Sequence, residues 1–100
     1  MRFSLIMGTY GRGEVICGFL ESLKNQNYDN FELIVVDQNP DDQVEKICRG
    51  YSSHFEIKYL ETDKPGLSHA RNIGLKHISG DIVTFPDDDC EYPPGSLIIR

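Results

Sequence analysis

Basic charge is in short supply: 10 lysines and arginines stand against 16 aspartates and glutamates, for a formal net charge of −6 over 100 residues. A nucleic-acid partner calls for a basic face, so the balance argues against one. Cysteine is scarce as well. Cys17, Cys48 and Cys90 are odd in number, far apart and form no C-x-x-C, which argues against a disulfide framework and for reduced thiols in a cytoplasmic setting. No apolar run approaches the roughly 20 residues of a membrane span, and MRFSLIMGTYGR holds too short an apolar stretch for a secretory signal. Other absences narrow the chemistry. The chain has neither the G-x-G-x-x-G dinucleotide fingerprint nor the G-x-x-x-x-G-K-[ST] phosphate loop. His54, His69 and His77 lack metal-ligand spacing, and no Ser/His/Asp or Cys/His set can be assembled. There is no internal repeat, linker or low-complexity tract.

What is present alternates along the chain. Apolar residues make up 39% and fall in short clusters, which favours one folded domain of a single core over disorder. Phe3 to Met7, closed by Gly8, predicts a buried strand. Val15, Ile16, Phe19, Leu20 and Leu23 recur at helical spacing over 14–24. FELIVVD (31–37) predicts a second buried strand, stopped at Asn39-Pro40. Asp42 followed by Glu45 fits a capping box opening a helix with Val44, Ile47 and Cys48 inward. EIKYLET (56–62) alternates, predicting an edge strand with one wet face. DKPG then turns into a helix near 68–78, with Leu67, Ala70, Ile73, Gly74 and Ile78 inward. DIVTF (81–85) predicts a fourth strand, and Pro93-Pro94 a further helix. The order βαβαβαβ implies an α/β fold with a mostly parallel sheet flanked by helices and joined by right-handed crossovers.

Ligands of open α/β sheets sit beyond the carboxyl ends of the strands. TYGRG, DQNPDD and PDDDCEY fall there. In PDDDCEY an Asp-x-Asp pair offers hard oxygen ligands of the kind Mg²⁺ and Mn²⁺ take, with positions left open for phosphates; a solvated turn is the alternative. The glycine-bracketed TYGRG lets backbone approach a ligand, and Tyr10 could lay its ring on a base. Asp37 could accept from base or ribose groups, or shape its own turn. If Ser68 caps the third helix, Arg71 stands in a first turn that favours acids, a placement better explained by a nearby anion or the aspartate cluster.

Four blocks, SLIMGTYGR, FELIVVDQNPDD, GLSHARNIGLKHISGD and IVTFPDDDCEYPPG, stand in the order and spacing of the family-2 glycosyltransferases, which this chain resembles over nearly its whole length. The resemblance implies the Rossmann-like GT-A fold and transfer of a sugar, usually with inversion, from a nucleotide-sugar donor to an acceptor hydroxyl on a saccharide or lipid-linked molecule. It implies that Thr9 and Tyr10 line the base pocket with Arg12 nearby, that Asp37 or Gln38 contacts the nucleoside, and that Arg71 faces base or phosphate. Asp87 and Asp88 would lie near ribose and diphosphate, with Asp87 and Asp89 on Mn²⁺ or Mg²⁺. Two motifs depart from the pattern. Gly8 and Gly11 replace the proline and asparagine of P-T-Y-N-R, loosening the loop. Gln38 replaces the second aspartate of V-D-D-G-S, and an amide both donates and accepts, so it need not select a uracil-like edge as a carboxylate does; UDP is still the first carrier expected, with dTDP and GDP open. Residues 1–100 are expected to be a truncated donor-binding half that lacks the acceptor half and its catalytic base, and to turn over little sugar alone. Self-association through the edge of strand 81–85 is expected, and a cytoplasmic location, at the inner membrane face in a full-length protein. The competing expectations are a non-catalytic nucleotide-sugar-binding domain and a sugar nucleotidyltransferase. The second is weakened by the lack of a basic glycine-rich loop. A receiver-like signalling domain would need a lysine at a late strand end, which is absent.

Overall fold

Runs apolar on both faces become parallel strands because helices must cover both sides of such a sheet. The computed structural model describes residues 2–11, 13–26, 30–64 and 66–86, with Leu67 described by its backbone alone. Strands β1 (Phe3–Thr9), β2 (Phe31–Asp37), β3 (Glu56–Glu61) and β4 (Ile82–Thr84) alternate with helices α1 (Ile16–Lys24), α2 (Gln43–Tyr51) and α3 (Leu67–Leu75) in the expected βαβαβαβ order. A 3-10 turn, Gly13–Val15, leads into α1. The sheet is wholly parallel with strand order β3-β2-β1-β4.

Alternation along the strands divides the core in two. Leu5, Met7, Leu33 and Val35 face α1 and α2, meeting Ile16, Phe19, Leu20, Leu23, Val44 and Cys48. Ile6, Ile34 and Val36 face the other way, against Ala70 and Ile73 of α3. The chain moves outward from β1 to β3 with its helices on one face, then crosses back on the opposite face to place β4 beside β1. Reversing direction and face together preserves the hand of the crossover. The order therefore switches between β1 and β4, where the crevice for a ligand opens in folds of this kind.

Helix α3 sits unusually close to β1. A Cβ on Gly8 would come within 2.8 Å of the Ala70 Cβ, and one on Gly74 would run into the Ile6 side chain. Gly8 accordingly does not close β1 as expected. The strand continues to Thr9, with Gly8 in register with Val36. Other boundaries differ for local reasons. Gly66, at φ 136°, is the N-cap of α3, so the helix begins at Leu67 and Ser68 does not cap it; it ends at Leu75, and Ile78 packs from the following loop. The capping box of α2 does not form. Asp42 instead reaches Lys46 at 3.3 Å, Asp41 accepts from the Gln43 N–H at 3.3 Å, and Glu45 turns to Arg49 at 2.8 Å. β3 is an edge strand, but its second face is not simply wet, since Lys58 folds inward and Leu60 joins the α3-side core. β4 is three residues long and, among the described residues, lies at the other edge. The helix expected at Pro93-Pro94 lies outside the described residues.

At the amino ends of the strands one carboxylate gathers the chain. Glu32 of β2 is wholly buried. Its Oε2 accepts from the Ser4 hydroxyl at 2.7 Å and the Ser79 N–H at 2.6 Å. Lys58 Nζ stands 2.8 Å from Oε1 and Arg2 3.6 Å away, so ion pairing holds this oxygen, which lacks a well-directed hydrogen bond. Arg2 also meets Glu56 at 2.6 Å, and Ser4 Oγ accepts from the Gly80 N–H at 2.8 Å. Burial alone would raise the Glu32 pKa. The Lys58 ammonium and the hydrogen bonds from Ser4 and Ser79 outweigh it and lower the value from 4.5 to about 2.

Two outcomes are expected. The folded carboxyl holds its proton more weakly than the unfolded one, so its contribution is complete above pH 4.5 and is lost as the pH falls toward 2. A shift of that size corresponds to on the order of 3 kcal/mol. Urea denaturation across this window should show that decline, and Lys58→Met, which removes the nearer of the two cations at Oε1, should cost up to about 3–5 kcal/mol at neutral pH. Gly74→Ala should cost about 1–3 kcal/mol in the same measurement, because Ile6 is buried and β-branched and cannot yield easily.

Candidate functional site

At the carboxyl ends of β1, β2 and β3 the surface opens into a cleft of about 660 Å³ lined by Tyr10, Gln38, Asn39, Pro40, Glu61, Thr62 and Asp63. Parallel strands in register deliver these residues together: Thr9 pairs with Asp37, and Asp37 with Glu61. Tyr10 follows β1 and is 64% exposed, whereas Thr9 before it is buried. A large exposed aromatic at a cleft mouth offers a flat apolar surface to a ring-shaped ligand.

The floor is tied down by hydrogen bonds. The Gln38 N–H donates to Thr9 O at 2.9 Å, and Gln38 Nε2 donates to the Gly66 carbonyl at 2.8 Å. A carbonyl can only accept, so this contact fixes the amide and leaves Oε1 as the acceptor not engaged by Gly66. Asp37 is 1% exposed. Its Oδ1 accepts from both the backbone and side-chain N–H of Asn39 at 3.0 Å, and its Oδ2 accepts from the Tyr59 hydroxyl. Burial, then the bond to Asp37, raises the Tyr59 phenol pKa, which keeps it protonated as a donor. Asn39 Oδ1 in turn accepts from the Gly11 N–H at 2.7 Å, joining the loop after β1 to the loop after β2. Thr62 Oγ1 accepts from the Lys64 N–H at 3.3 Å and lies 3.2 Å from His69 Nε2.

Arg71 stands apart from this cleft. It falls in the second turn of α3, not the first, because the helix starts at Leu67; the end-of-helix field thus does not explain it. Its guanidinium lies over the Phe85 ring, 4.8 Å from the centroid, on the β1/β4 side. Its buried Nε finds no hydrogen bond among the described residues. Of the residues named from sequence, the structure brings Thr9, Tyr10, Asp37 and Gln38 together and sets Arg71 beside the exit of β4. Arg12, Asp87, Asp88 and Asp89, including the whole metal motif, lie outside the described residues. Among the described residues no cluster of three or more His, Cys, Asp or Glu could hold a metal ion. Asn39, Glu61, Thr62 and Asp63 were not singled out from sequence. Asn39 read as a strand stop, and Glu61 to Asp63 gained significance only from the pairing of β3 with β2.

Neither described cysteine lines the cleft. Cys17 and Cys48 are free, and burial followed by the Asp37 charge pushes the Cys48 thiol up to about 12. No helix among the described residues is long and apolar enough to cross a membrane.

Comparison with known proteins assigns the architecture. The model of the family described as Glycosyl transferase family 2 matches residues 4–98. The chain belongs to glycosyl transferase family 2. Among its family-2 relatives, the glycosyltransferase GlyA of Streptococcus pneumoniae is 36% identical over 88% of this chain and 13% of its own length. Poly(ribitol-phosphate) beta-N-acetylglucosaminyltransferase TarS of Staphylococcus aureus is 37% identical over 89% of this chain and 16% of its own. The chain therefore spans only about a seventh of the length of these curated relatives. The crystal structure of TarS residues 1–349 in complex with UDP aligns with 97% of this chain and 30% of that one, at 30% identity and a TM-score of 0.88. The mannosyltransferase PcManGT of Pyrobaculum calidifontis, in complex with GDP-Man and Mn²⁺, aligns with 92% of this chain and 28% of its own, at 30% identity and a TM-score of 0.81. The family-2 fold expected from sequence is thus the fold observed.

The hydroxyl beneath the cleft is open to a direct check. Tyr59→Phe would leave a buried oxygen of Asp37 without its donor and should cost at least 1–3 kcal/mol, read as a lower denaturation midpoint with an unchanged slope.

Proposed function

We propose that this chain is the donor-binding part of a glycosyltransferase, holding a nucleotide sugar for transfer to an acceptor hydroxyl. The observation that carries this reading is the convergence of Tyr10 and Gln38 in one cleft at the carboxyl ends of β1 and β2. Tyr10 would stack on the base. Gln38, with its amide nitrogen committed to Gly66, would present Oε1 to a base N–H, as uracil N3 offers; the amide thus serves where a carboxylate is common. The UDP complex of TarS supports UDP as the first carrier, and the GDP-Man complex of PcManGT keeps guanine in view.

Electrostatics orients the donor. Glu61 and Asp63 line the cleft and would repel phosphates, so the neutral base belongs there and the diphosphate points toward the β1/β4 side, where Arg71 supplies a cation. The chain leads from β4 through Phe85 and Pro86 directly into Asp87, Asp88 and Asp89. Asp87 and Asp89 would hold Mn²⁺ or Mg²⁺, a role that suits hard carboxylate oxygens and is supported by the Mn²⁺ of PcManGT. When bound, the ion would neutralise charge on the diphosphate. Thr9, Arg12 and Asp88 complete the proposed nucleotide site, and Asp37 supports it through Asn39. The acceptor would be a saccharide or lipid-linked molecule whose incoming hydroxyl needs a general base. The edge of β4 is proposed as a self-association surface, and the cytoplasm, at the inner membrane face for a full-length protein, as its location.

Calorimetric titration of UDP, dTDP and GDP, with and without Mn²⁺, tests the reading. One nucleotide should bind in a metal-dependent manner. Asp89→Ala should abolish the metal dependence, and Tyr10→Ala should weaken binding about 10-fold, the scale of one stacking contact. A folded protein that binds none of the three, with or without metal, refutes the proposal.

A further inference from the structure

A carboxylate at the end of β2 is placed to touch a ligand, yet the Asp37 carboxylate is turned inward. It is 1% exposed and already accepts three hydrogen bonds, two from Asn39 and one from Tyr59. An ionised carboxylate has about four acceptor positions, so little capacity remains for a ligand. What those bonds accomplish is to hold Asn39. With its Nδ2 committed to Asp37, the Asn39 amide must aim Oδ1 the other way, and there it receives the Gly11 N–H at 2.7 Å. Gly11 has φ 109° and nothing within 4 Å of where a Cβ would sit. Its conformation is thus not imposed by packing, and glycine by itself would leave the loop free to move.

We propose that Asp37 and Asn39 are positioning residues, a clamp that pins Gly11 and so fixes the exposed ring of Tyr10 over the cleft. Fixing the loop in advance removes an ordering cost from binding. The clamp also explains how a loop with glycine on both sides of Thr9-Tyr10 can present an aromatic surface at all: Gly8 is fixed by the sheet and by Ala70, and Gly11 by Asn39. Tyr59 extends the clamp to β3, so three neighbouring strands bear on one ring.

The role assigned to Tyr10 rests on the nucleotide reading above, whereas the clamp does not, and the experiment separates them. Hydrogen exchange at the Gly11 amide, followed by NMR without ligand, reads the clamp directly. Asn39→Ala removes the acceptor. Asn39→Asp keeps an acceptor but sets a second anion against Asp37. Because Asn39 is at the surface edge of the cleft, both variants should fold. Gly11 exchange should quicken about 3- to 10-fold in both, the range of one hydrogen bond, with other loop amides unchanged. Wild-type protection in Asn39→Ala overturns the clamp, and wild-type protection in Asn39→Asp alone overturns the part given to Asp37. In a double-mutant cycle with UDP, Asn39→Ala should weaken binding when Tyr10 is present and have no further effect in a Tyr10→Ala background. Equal losses in both backgrounds overturn the link to Tyr10. Should UDP fail to bind the wild-type protein, the nucleotide reading falls and the exchange comparison alone upholds or overturns the clamp.

Discussion

The Glu32 carboxylate, buried at the amino ends of the strands, is the constraint on which the rest of the sheet depends. It meets Ser4 from β1, Lys58 from β3 and the Ser79 N–H from the loop that delivers β4, and it sits on β2 itself. Burying a charge is unfavourable unless every lone pair is answered. The four strands must therefore arrive in one register for Glu32 to be tolerated, and a slip of any of them would strand it.

The opposite end of the same sheet carries its polar groups differently. There Asp37 is also buried and fully engaged, but its partners are a surface asparagine and a tyrosine on an edge strand, and they lead outward to an open cleft. Locked charges at the amino ends hold the register, and that register lines up Thr9, Asp37 and Glu61 at the carboxyl ends. Close seating of α3 on β1, through Gly8 and Gly74, sets the depth of the other side, where Arg71 lies over Phe85. The site is thus a consequence of how strands are stacked and not of any one loop.

Much of this was legible in the sequence. Element order, the parallel sheet and the inward faces of α1 and α3 follow from periodicity, which reports burial directly. Tyr10 and Gln38 were found from their position after strands and from the family pattern. Local rules misled where another partner or conformation offered something better. The Asp42/Glu45 capping box gave way to ion pairs with Lys46 and Arg49. Ser68 was passed over as a cap because Gly66, two residues earlier, takes a positive φ there. Lys58 appeared to mark a wet strand face and instead reaches a buried anion across the sheet.

The sequence by itself determined the class of fold, the family and the stretch of chain at which chemistry gathers, because those depend on repeating patterns and on the order of short motifs. Only the tertiary structure decided what each polar side chain does. Whether Asp37 faces a ligand or a neighbour, which end of the Gln38 amide is exposed, and that Asn39 holds Gly11 all depend on partners 22 to 28 residues away in sequence. Hydrogen bonds are short-ranged and directional, so such choices exist only once packing has brought the strands side by side.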